Sequence, residues 1–246
     1  MKLSAVIVAL NEEVNIERCI KSVQWAEEVL LFDSGSSDKT VAIATNLGAK
    51  VVLGDWAGFG PTKCNAALLA KNDWILSLDA DEEVTAALAK EISELIFRPE
   101  VVYQIPRLSN YLGRWIRHGG WYPDFQNRLF NRKNNNWNQA IVHEKIEAKL
   151  YIKLLNNLNH YVFKNIEHHI QTNNKYSTLL AERMFVDGNR FSWFHFMTKP
   201  TVKFIECYFL KLGFLDGWVG YFIAKGAAYS VFLKWFKLKI LQESRS

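Results

Sequence analysis

Over its first hundred residues the chain alternates between short apolar runs and stretches with helical spacing. Leu3 to Ala9, Val29 to Phe32, Lys50 to Leu53 and Trp74 to Leu78 have the length and content of strands. Between them, Glu13 to Gln24, Val41 to Leu47 and Thr62 to Ala70 carry helical periodicity, and Thr85 to Ile96 follows the fourth run. Strands that are apolar on both faces and alternate with helices predict a parallel sheet built from right-handed βαβ units. Such a sheet binds ligands outside the carboxyl ends of its strands. Three polar clusters fall at those ends: "NEE" after the first strand, "DSGSSD" after the second and "DADEE" after the fourth.

From Val101 to Ile146 the rhythm changes to short strands separated by loops, with turn signals at Gly119-Gly120 and Tyr122-Pro123. Helical patterns then run over Tyr176 to Arg190, Pro200 to Leu212 and Gly217 to Leu241. The expected organisation is a nucleotide-binding βαβ half over 1–100, an α+β half of the same domain over 101–170, and a helical region over 171–246.

Composition narrows the class. With 246 residues, 49% hydrophobic and 22% charged, the chain is a globular protein. A formal net charge of +5 keeps nucleic acid, anionic membrane and phosphorylated substrates open as partners. Cys19, Cys64 and Cys207 are too few and too scattered for a disulfide framework or a zinc site, and they point to a reducing compartment. The opening run ends in Asn-Glu-Glu with no cleavage pattern, so it reads as a buried strand and not a signal peptide.

Asp79 and Asp81 are alternate residues at a strand's carboxyl end, where two hard oxygen ligands suit Mg²⁺ or Mn²⁺. Glu82 and Glu83 stand just ahead of the helix from Thr85 and suit its dipole and water instead. Asp33 ends a strand and faces the same crevice, where a carboxylate accepts from a nucleobase N–H or a ribose hydroxyl. Glu13 can do the same, beside Asn11. Ser36, Ser37 and Asp38 are explained as turn and cap residues.

"VALNEE", "DSGSSDKT", "PTKCNAAL" and "LDADEE" together resemble the inverting family 2 nucleotide-sugar glycosyltransferases over residues 1 to 145. The resemblance implies a GT-A fold, α/β and Rossmann-like, with a mainly parallel sheet, helices on both faces and C-terminal amphipathic helices appended. It implies that Asn11, Glu13 and Asp33 cradle the nucleoside, and that Lys63 and Asn65 line the donor pocket. Asp79 and Asp81 would place a divalent cation on the diphosphate, with His143 as a further ligand. Arg128 in "QNRLF" matches an arginine that clamps phosphate. "GGWYPDFQNRLF", "VHE" and the aromatic-basic tail are most similar to lipopolysaccharide core β-glucosyltransferases acting on inner-core heptose.

Inverting transfer needs a base for the acceptor hydroxyl. Asp124 is the first candidate and Glu144 the second. The family's usual Glu-Asp pair is Pro-Asp here. The expected partners are a UDP-sugar, a lipid-linked saccharide acceptor and an anionic membrane surface. The tail interleaves lysines with aromatics, as an interfacial helix pair does. Packing of these helices on the catalytic domain or on another subunit is the alternative. The implied location is cytoplasmic, on the inner face of the cell membrane. Two other readings stand beside this one. A nucleotidylyltransferase would carry a Gly-rich basic loop where "LNEEVN" stands. A nucleic-acid-binding protein would line one groove with its positive charge, whereas here the acids gather at strand ends.

Overall fold

The computed structural model describes residues 2–138, 145–163 and 165–244. They form two compact units, residues 1–108 with 124–160, and residues 109–123 with 161–246. The units cut across the sequence order expected above, because the segment 109–123 groups with the C-terminal helices and not with its neighbours in the chain.

The first unit opens with β1 (Leu3–Ala9), α1 (Ile16–Ser22), β2 (Glu28–Asp33), α2 (Thr40–Asn46), β3 (Lys50–Leu53), α3 (Phe59–Leu68), β4 (Trp74–Asp79), β5 (Glu82–Val84) and α4 (Ala86–Glu94). Next come β6 (Val101–Tyr111), β8 (Asp124–Asn131), β9 (Leu150–Lys153) and β10 (Leu158–Tyr161), while β7 (Arg114–Ile116) and the end of β6 belong to the second unit. The sheet order is β3-β2-β1-β4-β8-β6-β10-β5, with β7 and β9 pairing to β6. β1 pairs in parallel with both β2 and β4, while β8 pairs antiparallel to β4 and β6.

The apolar run of β1 is continuous because both its faces are covered. Leu3, Ala5, Ile7 and Ala9 enter one core with Ile16, Ile20 and Leu88, whereas Val6 enters the opposite core with Ala66 and Ala67 of α3. The same alternation divides Leu31 from Leu30 and Leu76 from Ile75. Each such fully buried aliphatic side chain contributes about 1.5–3 kcal/mol. The strand ends of β1, β2 and β4 are thereby fixed along one edge.

The short strand β5 differs from the expectation of an acidic helix entry at Glu82 and Glu83. It pairs antiparallel with β10, Glu82 opposite His160 and Glu83 opposite Asn159. The helix is capped instead by Thr85, whose hydroxyl accepts from Leu88 N at 3.2 Å and donates to Asn157 O at 2.9 Å.

The second unit holds α5 (Ile166–Val186), α6 (Trp193–Ile205), a π-helical turn over Glu206–Leu210, a 3₁₀ turn over Gly213–Asp216 and α7 (Gly217–Glu243). Two helices start earlier than their patterns suggest. α5 begins ten residues ahead of Tyr176, capped by the Asn165 side chain on His168 N. α6 begins at a Ser192 cap and carries Pro200 inside it, where the sequence reads as a start. Among the described residues no helix is long and apolar enough to cross a membrane. The three cysteines are free and buried.

Replacing Thr85 by alanine removes both the cap and the bond to Asn157. The expected loss is about 1–2 kcal/mol. It will be read as a lower urea midpoint at unchanged slope, and an unmoved midpoint would show that the cap carries no stability.

Candidate functional site

The loops after β1 and β2 are stitched together. Asn11 sits at φ +57, a conformation asparagine tolerates. Its Oδ1 accepts from Ser37 N at 2.9 Å, and its own N–H donates to Ser36 Oγ at 2.8 Å. Glu13 N donates to Asp38 at 3.1 Å, and its carboxylate accepts from Lys39 N at 3.1 Å. Asp33 is fully buried. Its carboxylate accepts from Gly35 N at 3.0 Å, from Ser36 N at 2.8 Å and from the Ser36 hydroxyl. The expected crevice-facing Asp33 is therefore turned towards its own loop. A buried carboxylate needs donors, and this turn supplies three. Gly35 at φ +96 makes the turn sterically accessible.

Asp79 ends β4 and Ala80–Asp81 form the turn into β5. The Asp79 side chain is 32% exposed, with Lys63 Nζ at 2.9 Å on one oxygen and Arg128 on the other. Arg128 comes from β8 and is almost wholly buried. Its Nη2 donates to Asp79 and also to Glu82 at 2.5 Å, while its Nε has no hydrogen-bond partner among the described residues. Glu82 is fully buried, accepts from Asp79 N at 3.0 Å, and also faces Arg107 at 3.5 Å. Arg107 of β6 reaches Asp124 of β8 through Nε at 3.0 Å and Nη2 at 2.7 Å. Gln126 holds the other Asp124 oxygen at 2.8 Å.

Lys63, Asp79, Arg128, Glu82, Arg107 and Asp124 thus alternate in sign, three cations with three carboxylates. Glu82 does not serve the following helix and water, as its place in the sequence suggests. It is the buried counter-charge of two arginines. Burial alone would push the Asp79 carboxyl up, but Arg128, Lys63 and Arg107 hold it far below the ordinary carboxylate range. Burial would likewise weaken the Arg128 guanidinium, and Asp79 with Glu82 reverse this and raise it above its ordinary value.

The chain of charges opens on a polar cleft of about 530 Å³, lined by Lys63, Asp79, Gln104, Arg107, Gln126 and Trp137 among others. Lys63 also lies 5.0 Å from the centre of the Trp137 ring. Asn65 is exposed on α3 and does not line this cleft. Asp81 stands 3.4 Å from His160 Nε2. His143 and Glu144 lie outside the described residues. Glu82 and Arg107 are the site residues that the sequence did not announce. Arg107 stands directly across from Asp124 in the β6–β8 register, so it is found only once that pairing is known.

Two partly exposed carboxylates at a strand end are hard oxygen donors. Among the described residues no three His, Cys, Asp or Glu side chains gather into a ligand set. Carboxylates of this kind would suit a hard cation that completes its shell with water and substrate oxygens.

A parallel βαβ sheet continued by antiparallel strands, with an acidic turn after β4, is the GT-A arrangement of glycosyltransferases. The chain belongs to glycosyl transferase family 2, whose description matches residues 4–153. An uncharacterized glycosyltransferase of Rickettsia typhi is 33% identical over 260 residues, covering 98% of this chain and 87% of the relative. The lipopolysaccharide core biosynthesis glycosyltransferase LpsC of Rhizobium meliloti is 26% identical, covering 95% of this chain and 90% of its own. A solved structure of glucosyl-3-phosphoglycerate synthase from Mycobacterium tuberculosis aligns with 73% of this chain and 77% of that one, at 17% identity and a TM-score of 0.48.

Two outcomes are expected. Glu82→Gln leaves two arginines short of one buried charge and costs about 3–5 kcal/mol, measured by chemical denaturation; a loss below about 1 kcal/mol would contradict the buried counter-charge role. The Asp79 contribution is whole above the unfolded carboxylate value of 3.8 and fades as pH falls from there towards the depressed folded value. The stability gap between wild type and Asp79→Asn should therefore narrow below about pH 4, and a gap constant with pH would contradict the pairing.

Proposed function

We propose that this glycosyltransferase moves a hexose, glucose first among the candidates, from a UDP-sugar to a lipid-linked saccharide, with inversion at the anomeric carbon. The observation that supports the reading is the alternating charge chain, in which Asp79 and Arg107 line one polar cleft and Arg107 in turn holds Asp124. The stitched loops holding Asn11, Glu13 and Asp33 are the proposed nucleoside cradle. Asp79 and Asp81 would hold Mg²⁺ or Mn²⁺ together with the donor's diphosphate. When bound, the cation offsets the negative charge that develops on the leaving group.

Asp124 is the proposed base. An inverting displacement needs a carboxylate that takes the acceptor hydroxyl's proton as the oxygen attacks. Arg107 and Gln126 fix the orientation of that carboxylate. Lys63 and Arg128 keep Asp79 ionised and each holds one of its oxygens, so a bound cation would share that carboxylate with them. Arg128 is the proposed support of Asp79 and not a direct phosphate clamp, because its guanidinium is buried against two carboxylates. The likeness to LpsC supports lipopolysaccharide core as the acceptor class, with inner-core heptose as the specific candidate. A lipid-linked acceptor sets the reaction at the inner face of the cell membrane.

The test is a panel of UDP-sugars with truncated lipopolysaccharide and Mg²⁺ or Mn²⁺, following UDP release. Asp124→Asn should keep donor binding by calorimetry and lose turnover by about 10²–10⁴-fold. Asp81→Ala should lose metal-dependent UDP binding. Full turnover in Asp124→Asn with loss in Glu144→Gln would move the base to Glu144, and unchanged activity in Asp81→Ala would remove the cation from the reading.

A further inference from the structure

α6 is apolar on its outer side as well as against α7, where Phe196 packs. None of its residues is buried, and its outer side carries large apolar residues around a single exposed threonine, Thr201. Phe194 is 72% exposed, Met197 67%, Val202 61% and Ile205 43%. Spacings of three, five and three residues keep them on one broad stripe. The π-helical turn continues it with Phe209 at 53% and Leu210 at 75% exposure. α6 and this turn span 18 residues, about 27 Å of helix. An apolar stripe that long in water marks an interaction surface.

The charge around the stripe identifies what covers it. Residues 193–244 carry seven lysines against three acids, a balance of +4 out of the whole chain's +5. All three acids are engaged: Glu206 by Lys203 at 3.0 Å and Lys211 at 2.5 Å, Asp216 by the His118 ring and backbone, and Glu243 by Lys239 at 3.6 Å. Lys199 and Lys203 stand one helical turn apart on α6. Lys199 extends over the Trp235 ring of α7, 5.0 Å from its centre, next to Lys234. Burial of its stem lowers the Lys234 pKa, and the charges of Lys199 and Lys203 add to this. Lysines converging beside apolar side chains match phosphates above acyl chains, each long stem lying on apolar surface while its head reaches out. A second copy of this chain would bring like charges together.

We infer that the outer face of α6 and its π-helical turn is an in-plane anchor for an anionic phospholipid bilayer. Phe194, Met197, Val202 and Ile205 enter the acyl boundary, and Lys199 and Lys234 meet headgroup phosphates, Lys203 being paired with Glu206. This deepens the membrane side of the proposed function. Its readout involves no sugar transfer, so it stands or falls separately from the donor site.

The experiment is co-sedimentation of the full chain with vesicles of phosphatidylcholine, alone or with about one third phosphatidylglycerol. The expected result is binding to the anionic vesicles that weakens with salt. Phe194→Ser with Met197→Ser should cut it by about tenfold or more. Lys199→Gln with Lys234→Gln should cut it by about fivefold per lysine on anionic vesicles only. The lysine pair decides the matter if the apolar pair fails to fold by circular dichroism. Equal binding to neutral vesicles, or no binding of the wild type to either, overturns the proposal. So does an apolar variant that keeps vesicle binding and turns a dimer into a monomer in sedimentation velocity.

Discussion

The site depends on charge balance inside a place that water scarcely reaches. Arg128 and Glu82 are both buried, and each is tolerable only because the other and their outer partners are present. A buried ion pair adds little net stability against an apolar replacement, but removing one member leaves a charge with no counterpart. The six groups therefore behave as one unit. Asp79 cannot be separated from Arg128, nor Asp124 from Arg107, without disturbing what lies between them. Conventional burial covers most of the sheet; this chain of charges is what gives its edge a chemistry.

The six members come from five elements: Lys63 from α3, Asp79 from β4, Glu82 from β5, Arg107 from β6, Asp124 and Arg128 from β8. The parallel strand β4 brings Asp79 to the edge, and the antiparallel strands bring Glu82, Asp124 and both arginines back to meet it. β8 supplies both an acid and a base because it pairs with β4 on one side and β6 on the other. Family membership fits this division, since the matched residues 4–153 contain every one of the six.

The parallel half was legible in the sequence because its strands are covered on both faces and read as unbroken apolar runs. Leu3–Ala9 as β1 is the plainest example. The acidic turn was legible because no core tolerates such residues without a reason. Glu82 misled because its neighbours Asp81, Glu83 and Thr85 look like a helix entry, whereas a three-residue strand held by a distant partner turns it inward. Arg107 was silent because its meaning lies in a register set by Asp124, 17 residues later. α6 misled through Pro200, which commonly opens a helix but here sits beyond its first turn. Local rules failed wherever a partner far along the chain decided the outcome.

The stitching of the loops after β1 and β2 has a thermodynamic consequence. Asn11 and Asp33 both bind Ser36, Asn11 also accepts from Ser37, and Glu13 is tied to Asp38 and Lys39. Their ordering is borne by folding and is not charged again when a molecule settles on that edge. Loops left slack would lose freedom at each encounter and give up affinity in proportion. At the proposed nucleoside cradle such an edge would meet its ligand as a finished mould, and selectivity there would arise from rejecting a poor shape and not from closing around a good one.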